Sequence, residues 1–404
     1  MKLRNIIITS FAVCALAACS KEEPVVGGGT GETVDASISF AVISDPTTKA
    51  ETQTPAEKRI KKLVAYIFEN KGSDNSLNKL VTSTEPVEST QIRHVTVKVQ
   101  PTADGGSTDR FIVIFLANAT PINSINTLND LLTSPLEELA EDLDVANNPL
   151  PMVSKQISFG NLKPNAEEQI ENWIAKGGEI KEGLHTSNEV PQGYEPIEME
   201  RLVARVQVDK LSVSFDQKYP NASFELLQLA LANVRNKTTI DKAVLPFVHG
   251  FDSDFYTAVS NGWIYKGNST VCPYLRENYS SQVLKNQETY NFGNKSFVKY
   301  IYFNPLLGTV SNGDASTALV ITGNFVPNIN YPNAKEKRHY RVYLNDADVV
   351  KPAAVLRNTV YKLNVTLTGE GSPNPDEILE TVGVSLTLTV KPWEVYEQNE
   401  DITN

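Results

Sequence analysis

The sequence predicts a mainly β protein with two antiparallel β-sandwich domains and a short helical insertion in the first. Three observations support this fold class. Many short segments alternate apolar and polar residues with turn residues between them, and only one region has helical spacing. The length of 404 residues is also enough for two domains that each bury a core.

The chain begins with what we interpret as a bacterial lipoprotein signal. Basic Lys2 and Arg4 precede an apolar run over residues 6–18 that is too short to span a bilayer, and Cys19 follows two alanines. We expect residues 1–18 to be removed and the Cys19 thiol to carry lipid, because a thiolate is the nucleophile at that position. An ordinary secretory signal with a chance cysteine is the alternative.

The composition limits the partners and the chemistry. The net charge is −11 and becomes more negative when the basic signal leaves, so the surface repels nucleic acid and anionic lipid. Cys14 lies in the signal and Cys19 is the expected lipid site, which leaves Cys272 alone and excludes an intramolecular disulfide. We expect Cys272 to be a small buried core residue.

A spacer with a glycine triplet, a strand and a loop follow the signal. The glycines predict a flexible tether. Residues 36–43 alternate, with Ile38, Phe40 and Val42 on one face, which predicts a half-buried strand. Residues 44–59 are polar, contain two prolines and have little to bury, so we expect an exposed loop.

The rest of the first half combines strands with one helical region. Strands are predicted at residues 63–68, 94–99 and 111–117. Residues 124–147 carry leucines at helical spacing, interrupted by Pro135. The acidic residues there lie mostly opposite the leucines, which favours a solvated helix face over a metal site. The polar passage at residues 163–196 has few strand signals, and we expect the first domain to end there.

A long strand opens the second half. Over residues 201–215 the apolar positions change parity near Asp209 and Lys210, which predicts a bulge, because one residue of slip swaps the two faces of a strand. Further strands are predicted at residues 299–303, 318–325, 338–344 and 359–368.

The C-terminal segment has a strict strand pattern over residues 381–390. Small and hydroxyl residues occupy one face. The apolar face consists of Val382, Val384, Leu386, Leu388 and Val390. An apolar-faced strand at a chain terminus must be covered by something.

We find no sequence motif for catalysis, a cofactor or a resident metal. The chain lacks HExxH, CxxC, GxSxG and a phosphate-binding glycine loop, and none of its four histidines has a second ligand candidate nearby in sequence. Acidic stretches at residues 252–254 and 346–348 lack the ligand spacing of a calcium loop, and we interpret them as turns. The sequence therefore predicts neither an enzyme nor a cofactor.

The order of several segments resembles one protein family. These segments are the lipobox with its acidic follow-on, the short first strand, a loop with a basic residue before Ala50, and the stretches KKLVAY, FIVIFLAN, IEMERLVARVQV, RNTVYKLNVTLTGEG and VSLTLTVKPW. Together they resemble the fimbrillins of Bacteroidales, the shaft subunits of type V pili. The resemblance covers nearly the whole chain.

This resemblance implies a lipoprotein precursor with two transthyretin-like sandwiches. It also implies that a trypsin-like protease cuts the loop after the first strand and releases the leaving strand, residues 36–43. The cut would fall after Lys49 and before Ala50, with Lys58 and Arg59 as fallback sites. Lys49 stands where the best-known members carry arginine.

Loss of the first strand would, by the same resemblance, open one edge of the first domain. The C-terminal strand of a neighbouring subunit would then fill it by donor-strand β-augmentation. The implied organisation is a signal at 1–18, a lipidated propeptide at 19–49, an N-terminal sandwich at 50–195, a C-terminal sandwich at 196–380 and a donor segment at 381–404.

The leading hypothesis is a structural shaft subunit of a cell-surface pilus that serves adhesion, with a precursor held in the outer membrane by lipid. Its partners would be identical or related subunits, tip and anchor pilins, and the trypsin-like processing protease, without nucleic acid. A tip or anchor pilin of the same superfamily is the near alternative. A surface lipoprotein that binds a glycan or haem is the alternative from another class.

Overall fold

The structure is a computed structural model. It describes residues 32–44, 55–71, 74–83, 91–122, 124–136, 149–164, 170–184, 186–187, 189–242, 247–248, 272–293, 297–304, 317–344, 354–373 and 384–392. These residues are mostly β-strand, as the sequence predicts.

The first group of elements forms two facing layers of strands with two short helices. Its elements are β1 (Val34–Ile43), α1 (Pro55–Lys58), β2 (Leu63–Lys71), β3 (Asp74–Ser83), β4 (Gln91–Val99), β5 (Arg110–Ala117), α2 (Leu128–Thr133), β6 (Met152–Ser154), β7 (Ile157–Gly160), β8 (Ile170–Ile174), β9 (Ile180–Leu184) and β10 (Ile197–Arg201). One layer has the order β3-β2-β5-β6-β10, with β7 also on β5. The other has the order β4-β1-β8-β9, and β1 joins the two layers through β10.

The second group forms two larger sheets and a small two-stranded one. Its elements are β11 (Val203–Val213), β12 (Ser223–Ala232), β13 (Val234–Arg235), β14 (Phe247–Val248), a 3-10 helix (Pro273–Leu275), β15 (Arg276–Lys285), β16 (Thr289–Asn291), β17 (Phe297–Tyr302), β18 (Ala318–Val326), β19 (Glu336–Tyr343), β20 (Thr359–Leu367) and β21 (Val384–Pro392). One sheet has the order β16-β11-β20-β21, with β17 also on β11, and the other has the order β15-β12-β18-β19.

Strands with clean alternation lie where the sequence predicts them. Along β20, Tyr361, Leu363 and Val365 are buried in the core, whereas the residues between them are half-buried. The pairing of β11 with β20 shifts register between Val208 and Lys210, which confirms the predicted bulge. A parity change in the apolar pattern is therefore a direct mark of this irregularity.

The described part of the polar passage at residues 163–196 contains β8 and β9, which its few strand signals do not predict. Glu171, Asn172 and Trp173 of β8 are all buried. Because both faces of β8 are covered, its sequence has no apolar and polar alternation to signal a strand.

The long strand predicted over residues 201–215 is divided at Leu202. Before it, β10 pairs with β6 and contributes Ile197 and Met199 to the first hydrophobic core. After it, β11 pairs with β17 and β20 in the second group. The chain thus passes from one set of sheets to the next at this residue.

The helical region is shorter in the described residues than the leucine spacing predicts. Helix α2 begins after Thr127, whose hydroxyl accepts from the Asp130 amide while the Asp130 carboxylate accepts from the Thr127 amide. Leu128 and Leu131 of this helix are buried. The predicted continuation over residues 137–147 lies outside the described residues. Cys272 is buried, as expected.

A buried histidine in β19 makes the stability of the fold depend on pH. His339 is 2% exposed, and its Nδ1 lies 2.9 Å from the Thr322 hydroxyl. Burial, reinforced by the charges of Lys337 and Arg338, lowers the pKa of His339 from 6.5 to about 4. The unfolded chain therefore binds a proton at this residue near pH 6.5 and the folded chain only near pH 4. The stabilisation that neutral His339 contributes to the free energy of unfolding is complete above pH 6.5 and is lost as the pH falls towards 4.

We expect wild type to lose about 2–3 kcal/mol more unfolding free energy than His339→Gln between pH 7 and pH 4.5, because the variant has no imidazole to protonate. Urea unfolding at a series of pH values measures this difference. Parallel pH profiles for the two proteins would contradict the assignment.

Candidate functional site

Strand β1, which contains the predicted leaving strand, lies in the interior of its sheet. It pairs antiparallel with β4 from Val34 to Ala41 and parallel with β8 from Ser37 to Ser39. At its C-terminal end it also pairs parallel with β10. The expectation that its loss opens an edge is therefore corrected, because its loss would open a gap between two strands. Pairing between distant segments leaves no mark in local alternation.

The predicted inner face of β1 forms part of the first hydrophobic core. Ile38, Phe40 and Val42 are buried there, as their shared parity predicts. The Phe40 ring meets the rings of Phe115 at 5.0 Å and Phe159 at 6.1 Å between centroids, both edge to face. These contacts join the two layers of the first group of strands.

The outer face of β1 is buried as well, so the prediction of a half-buried strand is wrong. Ala41 is covered near Tyr194, whose hydroxyl accepts from the Ala41 amide at 2.9 Å and lies 2.8 Å from the Ile174 carbonyl oxygen. The Tyr194 ring meets Trp173 edge to face, and burial raises the pKa of Tyr194 to about 12. The outward side chains of β1 are small and leave room for the Tyr194 side chain on this face.

A polar cluster lies beneath that cover, between β1 and its neighbours. Glu171 of β8 is fully buried, and its two carboxylate oxygens accept from the hydroxyls of Ser37 at 2.8 Å and Ser39 at 2.6 Å. His94 Nδ1 of β4 lies 2.9 Å from the same carboxylate. The Asn172 side chain donates to the Ser37 carbonyl oxygen at 2.8 Å. Sequence analysis missed Glu171 and Asn172 because it assigned no strand to their segment.

The last residues of the predicted loop are attached to the second group of strands, so the expectation of an exposed loop is wrong for residues 55–58, which form α1. Glu57 of α1 is fully buried, and its Oε1 accepts from Arg205 Nη1 at 2.8 Å and from the Tyr300 hydroxyl at 2.9 Å. Burial, followed by the Glu57 charge, raises the pKa of Tyr300. Arg201 Nε also donates to the Glu57 carbonyl oxygen at 3.2 Å.

The two fallback cleavage sites lie within this attached segment. Lys58 is the last residue of α1, and its carbonyl oxygen accepts from the Ser44 hydroxyl at 2.5 Å. The Arg59 amide donates to the Ala56 carbonyl oxygen, and the Arg59 carbonyl oxygen accepts from Asn118 Nδ2 at 2.8 Å. The backbone on each side of these sites is thus hydrogen-bonded.

The C-terminal strand lies at the end of a sheet of its own chain. β21 pairs antiparallel with β20 along its whole length, from Thr359 opposite Pro392 to Leu367 opposite Val384. In the described residues β20 is its only strand partner. Four of the predicted donor residues belong to this strand, namely Val384, Leu386, Leu388 and Val390. Val382 lies outside the described residues.

Cys19, Lys49 and Ala50 also lie outside the described residues, so the lipid site and the proposed cut stay sequence predictions. Within the described ranges, no helix is long and apolar enough to cross a membrane. The same ranges contain no group of three or more histidine, cysteine or acidic residues arranged for a metal.

Comparisons of the sequence with known proteins find similar fimbrial subunits. Residues 36–201 match the family model of the major fimbrial subunit protein FimA. The chain is 22% identical to major fimbrium subunit FimA type-3 of Porphyromonas gingivalis and 21% identical to FimA type-2, in each case over 99% of both chains.

Solved structures share the fold. A fimbrilin from Porphyromonas gingivalis W83 superposes with a TM-score of 0.60 at 16% identity and covers 91% of this chain and 100% of its own. A putative cell adhesion protein from Parabacteroides distasonis gives a TM-score of 0.56 at 15% identity, over 89% of this chain and 97% of its own.

Proposed function

We propose that the chain belongs to the Bacteroidales family of major fimbrial subunit proteins, whose model matches residues 36–201, and that it is the shaft subunit of a type V pilus that polymerises by donor-strand exchange. This family consists of structural subunits of cell-surface fimbriae and is not a family of enzymes. The proposal concerns the finer steps: lipidation at Cys19, cleavage after Lys49, release of β1 and its replacement by β21 of a neighbour.

The observation that carries the proposal is the position of β1 between β4 and β8 with both faces buried. Once the loop after β1 is cut, non-covalent contacts alone hold the strand. Its departure would leave unpaired backbone groups on β4, β8 and β10 around an apolar layer, a space that we call the β1 groove. Such a groove requires another strand, because unpaired backbone groups and exposed core residues are both costly.

β21 is suited to be that strand. Its nine residues span about 30 Å and the ten of β1 about 33 Å at ~3.3 Å per residue. Its sequence alternates apolar residues with serine and threonine. Leaving β20 breaks one ladder of hydrogen bonds, whereas entering the β1 groove of a neighbour forms two. The exchange is therefore favourable in backbone pairing.

The attachment of α1 favours Lys49 over the fallback sites. A cut after Lys58 or Arg59 would separate the buried Glu57 from the chain that follows it, and with it the contact to Arg205. A cut after Lys49 keeps this contact in the subunit and removes residues 19–49 with the lipid. The assembled subunit would then have no membrane anchor.

The proposal keeps two sandwich domains and assigns β10 to the first, so that the division falls at Leu202. The partners are copies of this chain or related pilins, together with tip and anchor pilins and the trypsin-like protease. An anchor pilin would retain β1, and a tip pilin would have no strand to donate.

Trypsin treatment of the purified chain 20–404 tests the proposal. We expect cleavage after Lys49, loss of β1 and formation of sodium dodecyl sulfate-resistant ladders or fibres. N-terminal sequencing, gel analysis and electron microscopy detect these outcomes. Pro392 directly after Lys391 protects the only basic residue of the donor segment from trypsin.

Two variants serve as matched controls. Lys49→Gln should stay a monomer, whereas Lys58→Gln with Arg59→Gln should assemble normally. A chain that lacks residues 381–404 should be cut but should not polymerise. A cut chain that stays monomeric with an intact C-terminus would contradict donor-strand exchange.

A further inference from the structure

We propose that Glu171 selects the incoming strand and fixes its register by accepting hydrogen bonds from two of its hydroxyl groups. This inference rests on the strand exchange proposed above. It assigns to one buried carboxylate the choice of which strands can replace β1.

The geometry around Glu171 is a site for two hydroxyls on alternate residues. Ser37 lies directly opposite Glu171 in the pairing of β1 with β8, and Ser39 is the next residue on the same face. Each serine hydroxyl contacts a different carboxylate oxygen, at 2.8 Å and 2.6 Å. The pair is thus matched to a spacing of two residues along an extended strand.

Both hydroxyls belong to the part of the chain that cleavage removes. His94 and Glu171 stay in the subunit, so the opened β1 groove contains a carboxylate that has lost two of its donors and that a replacement strand would bury again. Burial of a carboxylate is costly unless donors compensate for the loss of water. A replacement strand with aliphatic residues at these two positions would leave that cost in place.

The sequence of β21 supplies the missing groups. Ser385, Thr387 and Thr389 alternate with the aliphatic residues of the strand and share its other face. Two pairs with the required spacing result, Ser385 with Thr387 and Thr387 with Thr389. Because the period is two, the match holds for either strand direction, and Thr387 belongs to both pairs.

A slip of one residue would be penalised on both faces of the strand. Leucine or valine would then lie against Glu171, and the hydroxyls would enter the apolar layer that Phe40 and its neighbours occupy in the uncut chain. Apolar burial alone would accept several aliphatic strands. The carboxylate restricts the choice to strands with hydroxyls on alternate residues.

A labelled peptide of residues 381–404 tests this inference on the full chain. The chain is cut with trypsin in the presence of excess peptide, the trypsin is inhibited, and the dissociation rate of the peptide is measured. We expect the Thr387→Val peptide to dissociate about 10- to 100-fold faster than the wild-type peptide, because it lacks the hydroxyl common to both registers.

A variant of the receiving chain completes a double-mutant cycle with the Thr387→Val peptide. The variant combines Ser37→Ala, Ser39→Ala and Glu171→Leu. Its precursor has neither the carboxylate nor the two serine hydroxyls that donate to it, and after cleavage it differs from wild type at residue 171 alone. We expect this chain to bind the two peptides equally or to prefer Thr387→Val. Glu171→Gln retains one acceptor oxygen, should fold most readily, and should give an intermediate ratio.

A control peptide distinguishes a failure of the role of Glu171 from a failure of strand exchange. A Leu388→Ala peptide should dissociate faster from both receiving chains by the same factor, since it changes the apolar face. Equal rates for wild-type and Thr387→Val peptides on the wild-type chain, with Leu388→Ala weakened, would overturn the role of Glu171 and leave strand exchange intact. Absence of binding by every peptide would overturn strand exchange itself, and this inference with it.

Discussion

A chain that lacks both residues 1–49 and residues 381–404 is expected to lose most of the stability of its first group of strands. Burial of the Ile38, Phe40 and Val42 side chains contributes roughly 5–9 kcal/mol at 1.5–3 kcal/mol each. This is comparable with the whole unfolding free energy of a typical domain, about 5–15 kcal/mol. Urea unfolding should show an early transition that a chain lacking only residues 381–404 does not show.

Addition of a strand in trans is the decisive control for this result. A peptide of residues 34–44 or of residues 381–404 should shift the early transition back to higher urea, because either fills the β1 groove. A scrambled peptide of the same composition should not. If removal of β1 left the unfolding curve unchanged, the core contribution assigned to this strand would be wrong.

Glu57→Ala is expected to lower the unfolding free energy by about 3–5 kcal/mol. The variant removes the carboxylate that faces the buried Arg205 guanidinium and the Tyr300 hydroxyl, and it leaves a buried positive charge without this compensation. Guanidinium or urea unfolding followed by tryptophan fluorescence measures the change.

An exposed ion pair with the same separation provides the matched control. Glu182 and Lys163 lie 2.8 Å apart, as Glu57 and Arg205 do, but their side chains are 52% and 46% exposed. Glu182→Ala should therefore cost only about 0–1 kcal/mol. Equal losses in the two variants would show that burial is not what makes the Glu57 contact important.

The sequence predicts a strand reliably when one face of the strand is exposed to solvent and the other is buried. β20 and the bulge near Asp209 were predictable because their apolar residues keep or change parity visibly. β8 was not, since the neighbouring Glu171 and Asn172, which lie on opposite faces of the strand, are both buried and no alternation distinguishes the faces. The predicted face of β1 is correct, but its covered outer face depends on the distant Tyr194.

The candidate site also contains residues that local patterns predict and residues that they do not. Local patterns predicted the apolar residues of β1 and β21, because alternation is a property of one segment. The Glu171 cluster and the attachment of Glu57 to Arg205 join residues more than 70 positions apart. Such contacts follow from the order of strands in the sheets, which a single sequence does not specify.

The two-sided pairing of β1 also has a mechanical consequence. A strand bonded along both of its long sides and pulled along its own axis must break many hydrogen bonds together, whereas a strand peeled from one end breaks them in turn. A neighbour's strand in the same groove would therefore meet tension along the fibre as shear. Under the proposed strand exchange, a strand held in this way would resist flow and traction, and yet it could be exchanged stepwise from one end during assembly.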